Sequence, residues 1–128
     1  MISLEKYPKT TELIKQFYFK RIKEGLEERG NVPQNIKDYY KSVNPSEFIS
    51  NENLAIIMKH SPRMFFEAFD EKGIYILIFP VFGDKLPVKM SFSILTEKDG
   101  LSDNEIFENR LKAEQEALIK SFEMYEHG

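Results

Sequence analysis

The chain has 128 residues, of which 41% are apolar and 30% are charged, and its formal net charge is −3. This length and balance predict one globular domain, residues 1–128, with a single hydrophobic core. The mildly acidic charge argues against nucleic acid and anionic membranes as main partners, because both attract proteins through a positive field.

Cysteine is absent, which excludes disulfides and thiolate chemistry and favours a cytoplasmic location. The first ten residues, MISLEKYPKT, lack the apolar core of a signal peptide. The longest uncharged apolar run, Ile74–Phe82, is far shorter than the roughly 20 residues of a membrane-spanning helix. We therefore expect a cytoplasmic protein.

Three helices are predicted in the first half of the chain. The first begins at Thr10 or Thr11, which are both favourable N-cap residues, and ends at Gly30. The second runs from Pro33 to Ser42. The third runs from Pro45 to Lys59 and ends before Pro62.

Three consecutive strands are predicted next, over residues 63–70, 73–82 and 86–96. Asp70–Gly73 is a hairpin signal, and a three-residue loop is expected to join the second and third strands. That loop pairs Ile78 with Met90, whereas a loop one residue longer or shorter would set Lys and Ser opposite the isoleucines. The predicted fold is therefore α+β, with N-terminal helices, a three-stranded antiparallel meander and a long C-terminal helix packed on the sheet.

The predicted register gives the sheet two unlike faces. The first is apolar on all strands and is expected to face the core; it holds Phe65, Phe69, Ile74, Ile76, Ile78, Met90, Phe92 and Ile94. The second is apolar on two strands and polar on the third; it holds Met64, Phe66, Ala68, Tyr75, Leu77, Phe79, Lys89, Ser91 and Ser93. Three covers for the second face stay open: an N-terminal helix, a second copy of the chain, or a ligand pocket.

The last helix has the clearest start signal. Residues 101–106, LSDNEI, form a capping box in which Ser102 caps the amide of Glu105, with a staple between Leu101 and Ile106. Apolar residues at helical spacing follow: Phe107, Leu111, Leu118, Phe122 and Tyr125. This pattern predicts a helix that continues to about Tyr125 and packs on the first face.

No catalytic or cofactor motif is present in the sequence, and no cofactor is expected. His60 is expected at the C-terminal end of a helix and His127 lies far from it in sequence, so a zinc site is not expected. Glu67 is the exception among the carboxylates, because the register sets it beside apolar residues opposite Ile76. Burial there would perturb its pKa, and this gives Glu67 a functional interpretation.

Two functions remain open. The first is a small, non-catalytic protein-interaction or regulatory domain, in one form a homodimer through the second sheet face. Its surface would comprise Tyr75, Leu77, Phe79, Ser91, Ser93 and Phe66. The second is a small-molecule-binding protein or simple enzyme. Its aromatic-lined pocket would have Tyr75, Phe79, Ser91 and Ser93 on one wall and helical Phe or Tyr rings on the other.

Overall fold

The computed structural model describes residues 2–83, 88–97, 100–102 and 105–128. Within them the chain forms five α-helices and an antiparallel sheet, so the α+β class is confirmed. The helices are α1 (Pro8–Arg29), α2 (Gln34–Ser42), α3 (Asn51–His60), α4 (Phe66–Asp70) and α5 (Arg110–His127). The two long strands are β1 (Ile74–Val81) and β2 (Lys89–Thr96), and a short third strand, β3, spans Gly100–Ser102.

Helix α1 ends where the sequence predicts but begins earlier, at Pro8. Gly30 closes it in the left-handed conformation, with φ of 70°, which glycine adopts without a steric penalty. Thr10 is not the N-cap: it lies inside the first turn, and its amide donates to Glu126 Oε1 at 2.9 Å. The cap of α1 therefore comes from the far end of the chain, which no local pattern can show.

The second helix is confirmed, whereas the predicted third helix is divided. Pro45–Glu47 forms one 3₁₀ turn, and α3 starts only at Asn51. Ser50 separates them because its side-chain oxygen accepts from the amide of Asn53 at 3.1 Å, which is an N-cap interaction.

The first predicted strand is wrong. Pro62–Phe65 is a 3₁₀ turn and Phe66–Asp70 is helix α4, so the predicted three-stranded meander is not formed. Phe65 and Phe69 are completely buried, as predicted, but they share a face because they lie four residues apart on helical backbone.

The register of the two long strands differs from the prediction by two residues. Ile76 lies opposite Ile94, and Ile78 lies opposite Phe92. An even shift keeps every side chain on its predicted face, because alternate residues point to opposite sides of a strand. Residues 84–87 of the predicted loop and third strand lie outside the described residues.

The other edge of β2 is bordered by the chain that leads to α5. Gly100 pairs with Leu95 and Ser102 with Ser93. Further along, the backbones of Met90 and Phe107 exchange hydrogen bonds of 2.9 and 2.8 Å. This antiparallel course explains why α5 starts late.

The predicted capping box is wrong. Ser102 lies in β3, and the N-cap of α5 is Asn109, whose Oδ1 accepts from the amide of Lys112 at 2.9 Å. Asn109 matches the preference for a short polar acceptor at this position. Residues 103 and 104 of the predicted box lie outside the described residues.

Helix α5 packs on the first sheet face, as predicted. Phe92, Ile94 and Phe122 are completely buried in one cluster with Phe65 and Phe69. Leu111 is an exception to the predicted stripe, since it is 42% exposed. No helix of the described ranges is long and apolar enough to cross a membrane.

Candidate functional site

The outer sheet face is the side of β1 and β2 opposite the core, and part of it is apolar and exposed. Its apolar side chains are Tyr75, Leu77, Phe79 and Leu95, which are 46%, 49%, 39% and 42% exposed. They are contiguous, because Tyr75 pairs with Leu95 and Leu77 and Phe79 follow on the same face. Exposed apolar patches of this kind mark interaction sites.

The opposite face explains this exposure. Helix α5 contacts both long strands and buries Phe92 and Ile94. The side chains of the adjacent residues in each strand, such as Leu77 and Leu95, therefore point away from the helix. Of the three covers that the sequence left open, an N-terminal helix is not found on this face among the described residues.

The two serines of the predicted surface differ in role from the exposed apolar residues. Ser91 is 3% exposed, and its Oγ donates to the carbonyl oxygen of Glu105 at 3.0 Å. Ser93 is partly buried and lies between Leu77 of β1 and Ser102 of β3. The chain that leads to α5 thus borders the outer sheet face on the β2 side.

Two predicted site residues lie elsewhere, because their segment is helical. Phe66 is on α4 and packs against the core, so it is not part of the outer sheet face. Glu67 is exposed, and its Oε2 lies 3.1 Å from Nη2 of Arg21. Both side chains are about half exposed, 52% and 50%, so this is a surface ion pair and not a buried carboxylate.

Strand β1 forms the other border of this face. It pairs with β2 on one side, and among the described residues no strand pairs with its second edge. Its eight residues, IYILIFPV, include no charged side chain. Soluble proteins usually protect such an edge with charges, bulges or a covering element.

Sequence reasoning missed Leu95 and the edge position of β1. Leu95 belongs to the outer sheet face by simple alternation with Ile94, so the signal was present. The edge was hidden because residues 63–70 were assigned to a neighbouring strand that would have covered it.

Several cavities of the described residues lie away from the centre of the outer sheet face. One, of about 900 Å³, is an open groove at the end of the sheet where β1 begins, lined by Tyr75 and by Asp70, Lys72, Glu97, Glu123 and His127. A cleft of about 310 Å³ between α1 and α2 contains Lys23, Lys37 and Lys41. A third, between α3 and α5, is only about 100 Å³.

The titratable groups of the described residues give no sign of a reaction centre. Burial raises the pKa of Asp70, and the neighbouring charges of Glu67 and Glu71 raise it further. His60 and His127 are the last residues of α3 and α5. Within the described ranges no three acidic or histidine side chains are grouped so that they could hold a metal ion.

Comparisons of the chain with protein-family models, with curated proteins and with solved structures found no match. The geometry of the outer sheet face is therefore the main evidence on function.

Proposed function

We propose that this protein is a non-catalytic protein-interaction domain that binds its partner through the outer sheet face. The observation that carries the proposal is the exposure of Tyr75, Leu77, Phe79 and Leu95 as one uncharged patch on a sheet. Aromatic and aliphatic side chains of this kind form the centre of protein interfaces, where charged residues are depleted.

The face is also backed by a packed core, which favours binding. Phe92 and Ile94 lie directly behind it and are completely buried against α5. A preformed surface loses little conformational entropy on association. The chemistry it would recognise is an apolar surface or strand with few charges, because no described charged residue lies between Tyr75 and Phe79 on this face.

The small-molecule alternative has weaker support. Its predicted wall of Tyr75, Phe79, Ser91 and Ser93 faces no described helix, and Ser91 is buried under the chain near Glu105. Only Tyr75 among them lines the large groove. That groove is open, whereas most ligand sites bury the larger part of their ligand.

Photo-crosslinking in the native cell tests the proposal. A photoreactive phenylalanine derivative replaces Leu77 in one variant and Ile56 in another. Ile56 is a matched control because it is also 49% exposed but lies on α3. We expect covalent protein adducts from position 77 and few from position 56. Equal adduct yields at both positions would overturn the proposal.

A further inference from the structure

We infer that the partner is a second copy of the chain, which pairs about a two-fold axis at Leu77 with the edge of β1 that borders the outer sheet face. The inference rests on the proposed function and names its partner. It follows from three features of β1: an edge with which no described strand pairs, a lack of charged residues, and the internal symmetry of its side chains.

The sequence of β1 is nearly symmetric about Leu77. If two copies pair antiparallel there, Tyr75 faces Phe79 of the other copy, Ile76 faces Ile78, and Leu77 faces itself. Each position meets a residue of similar character on the same side of the sheet. Aromatic and β-branched cross-strand pairs are among the stabilising ones.

Charge also favours a like partner. Two copies of a chain with a net charge of −3 repel each other, so a self-interface needs a region without that charge. β1 has no charged residue, and the contact would therefore bring no like charges together.

The pairing would also extend the outer sheet face. Two sheets joined at β1 form one continuous antiparallel sheet, and Tyr75, Leu77 and Phe79 of both copies become one central apolar strip. Pro80, which has no amide hydrogen, would lie opposite Ile74 at the end of the paired stretch. A proline costs least at that position, and it would limit further pairing. Such an isologous contact closes after two copies.

A single cysteine tests this geometry, because the natural chain has none. Facing Cα atoms of an antiparallel pair lie about 4.5–5.5 Å apart, within the range of about 4.4–6.8 Å that a disulfide spans. Leu77→Cys should therefore form a covalent dimer under mild oxidation. Leu95→Cys is the matched control, because Leu95 lies on the same face with similar exposure but on β2, away from the edge.

Leu95→Cys should cross-link much more slowly than Leu77→Cys. Equal cross-linking of the two variants would overturn the edge pairing and would favour association face against face. Open-ended oligomers would overturn the closed two-fold arrangement.

A second variant tests the non-covalent dimer. Leu77→Lys places two like charges opposite each other at the axis, and it should raise the dimer dissociation constant at least about tenfold. Because Leu77 is half exposed, the monomer should keep its circular dichroism spectrum. Analytical ultracentrifugation of the natural chain and of Leu77→Lys measures this effect.

The same measurement separates this inference from the proposed function. A natural chain that sediments as a monomer at high micromolar concentration would overturn self-association. The proposed function would still stand if photo-crosslinks from position 77 reach other proteins. Both the proposed function and the inference would fail if position 77 forms no adducts.

Discussion

Glu126 caps the first turn of α1, although it lies 116 positions after Thr10 of that turn in the sequence. Its carboxylate accepts from the amides of Thr10 and Lys9, at 2.9 and 3.3 Å, and from the hydroxyl of Thr10 at 3.0 Å. These amides are among the first of α1 and have no partner within the helix. A negative charge at this end also interacts favourably with the helix dipole.

The first prediction concerns the pH dependence of this contact. Burial raises the pKa of Glu126, but the hydrogen bonds from Thr10 and Lys9 outweigh it and hold the pKa below its ordinary value of 4.5. A carboxyl with a lowered folded-state pKa adds stability above its unfolded pKa, and that stability is lost as pH falls through the folded value.

Glu126→Gln should therefore lower the melting temperature at pH 7, and the difference from the natural chain should shrink below about pH 4.5. Circular dichroism melts between pH 7 and pH 3 measure it. Glu24→Gln, an exposed position on α1, is the control and should show little change. A constant difference between Glu126→Gln and the natural chain at every pH would contradict the prediction.

Single residues also show where sequence reasoning failed. Phe65 and Phe69 are four positions apart, and both a strand and a helix place such residues on one face. Glu67 lies between them and distinguishes the two: a strand would bury it, whereas a helix turns it outward. Glu67 is exposed, so the cost of burying its carboxylate was a better guide to the helical conformation of this segment than the spacing of the two phenylalanines.

At the scale of elements, the faces of β1 and β2 could be predicted because they depend only on alternation. The predicted register was wrong by two residues, and yet Ile76, Ile78, Phe92 and Ile94 lie on the predicted face, since the shift is an even number. The start of α5 could not be predicted locally, because residues 100–102 and Phe107 pair with β2. In this segment the pairing with β2 determines the conformation, although the local sequence is favourable for a helix N-terminus.

The second prediction concerns the packing of α5. Phe122 is completely buried, with ring centroids 5.8 Å from both Phe69 and Tyr7. Phe122→Ala should lower the free energy of unfolding by about 3–5 kcal/mol, through lost burial and the cavity left behind. Leu111→Ala, at a largely exposed position of the same helix, should cost about 0.5 kcal/mol or less. Urea denaturation gives both values, and similar losses would show that the helix face is misassigned.

At the scale of the whole molecule, stability depends on contacts between the two ends of the described chain. Helix α5 contacts both long strands, α1 and α3. The class of the fold and the core position of α5 were readable from periodicity. Three covers of the outer sheet face stayed open, because a sequence does not show which element lies against a given strand face.

The third prediction is that the fragment 1–100 does not fold cooperatively. Its loss of α5 would expose Phe92 and Ile94 and remove the cap of α1, and a domain of this size has only about 5–15 kcal/mol of stability in total. Circular dichroism and hydrogen exchange would show a broad transition and unprotected amides. The chain that lacks only residues 127 and 128 is the control and should unfold cooperatively. A cooperative transition in the fragment would make α5 a peripheral element.

The bond between Thr10 and Glu126 also has a consequence for folding during synthesis. Helix α1 is made early, but its capping carboxylate is added only when the ribosome reaches residue 126. Contacts between residues this distant in sequence form late, since closing a long loop costs entropy before it brings any gain. Until then the apolar side of β2 stays uncovered beside the exposed β1 edge. The nascent chain is therefore vulnerable to aggregation until α5 has emerged.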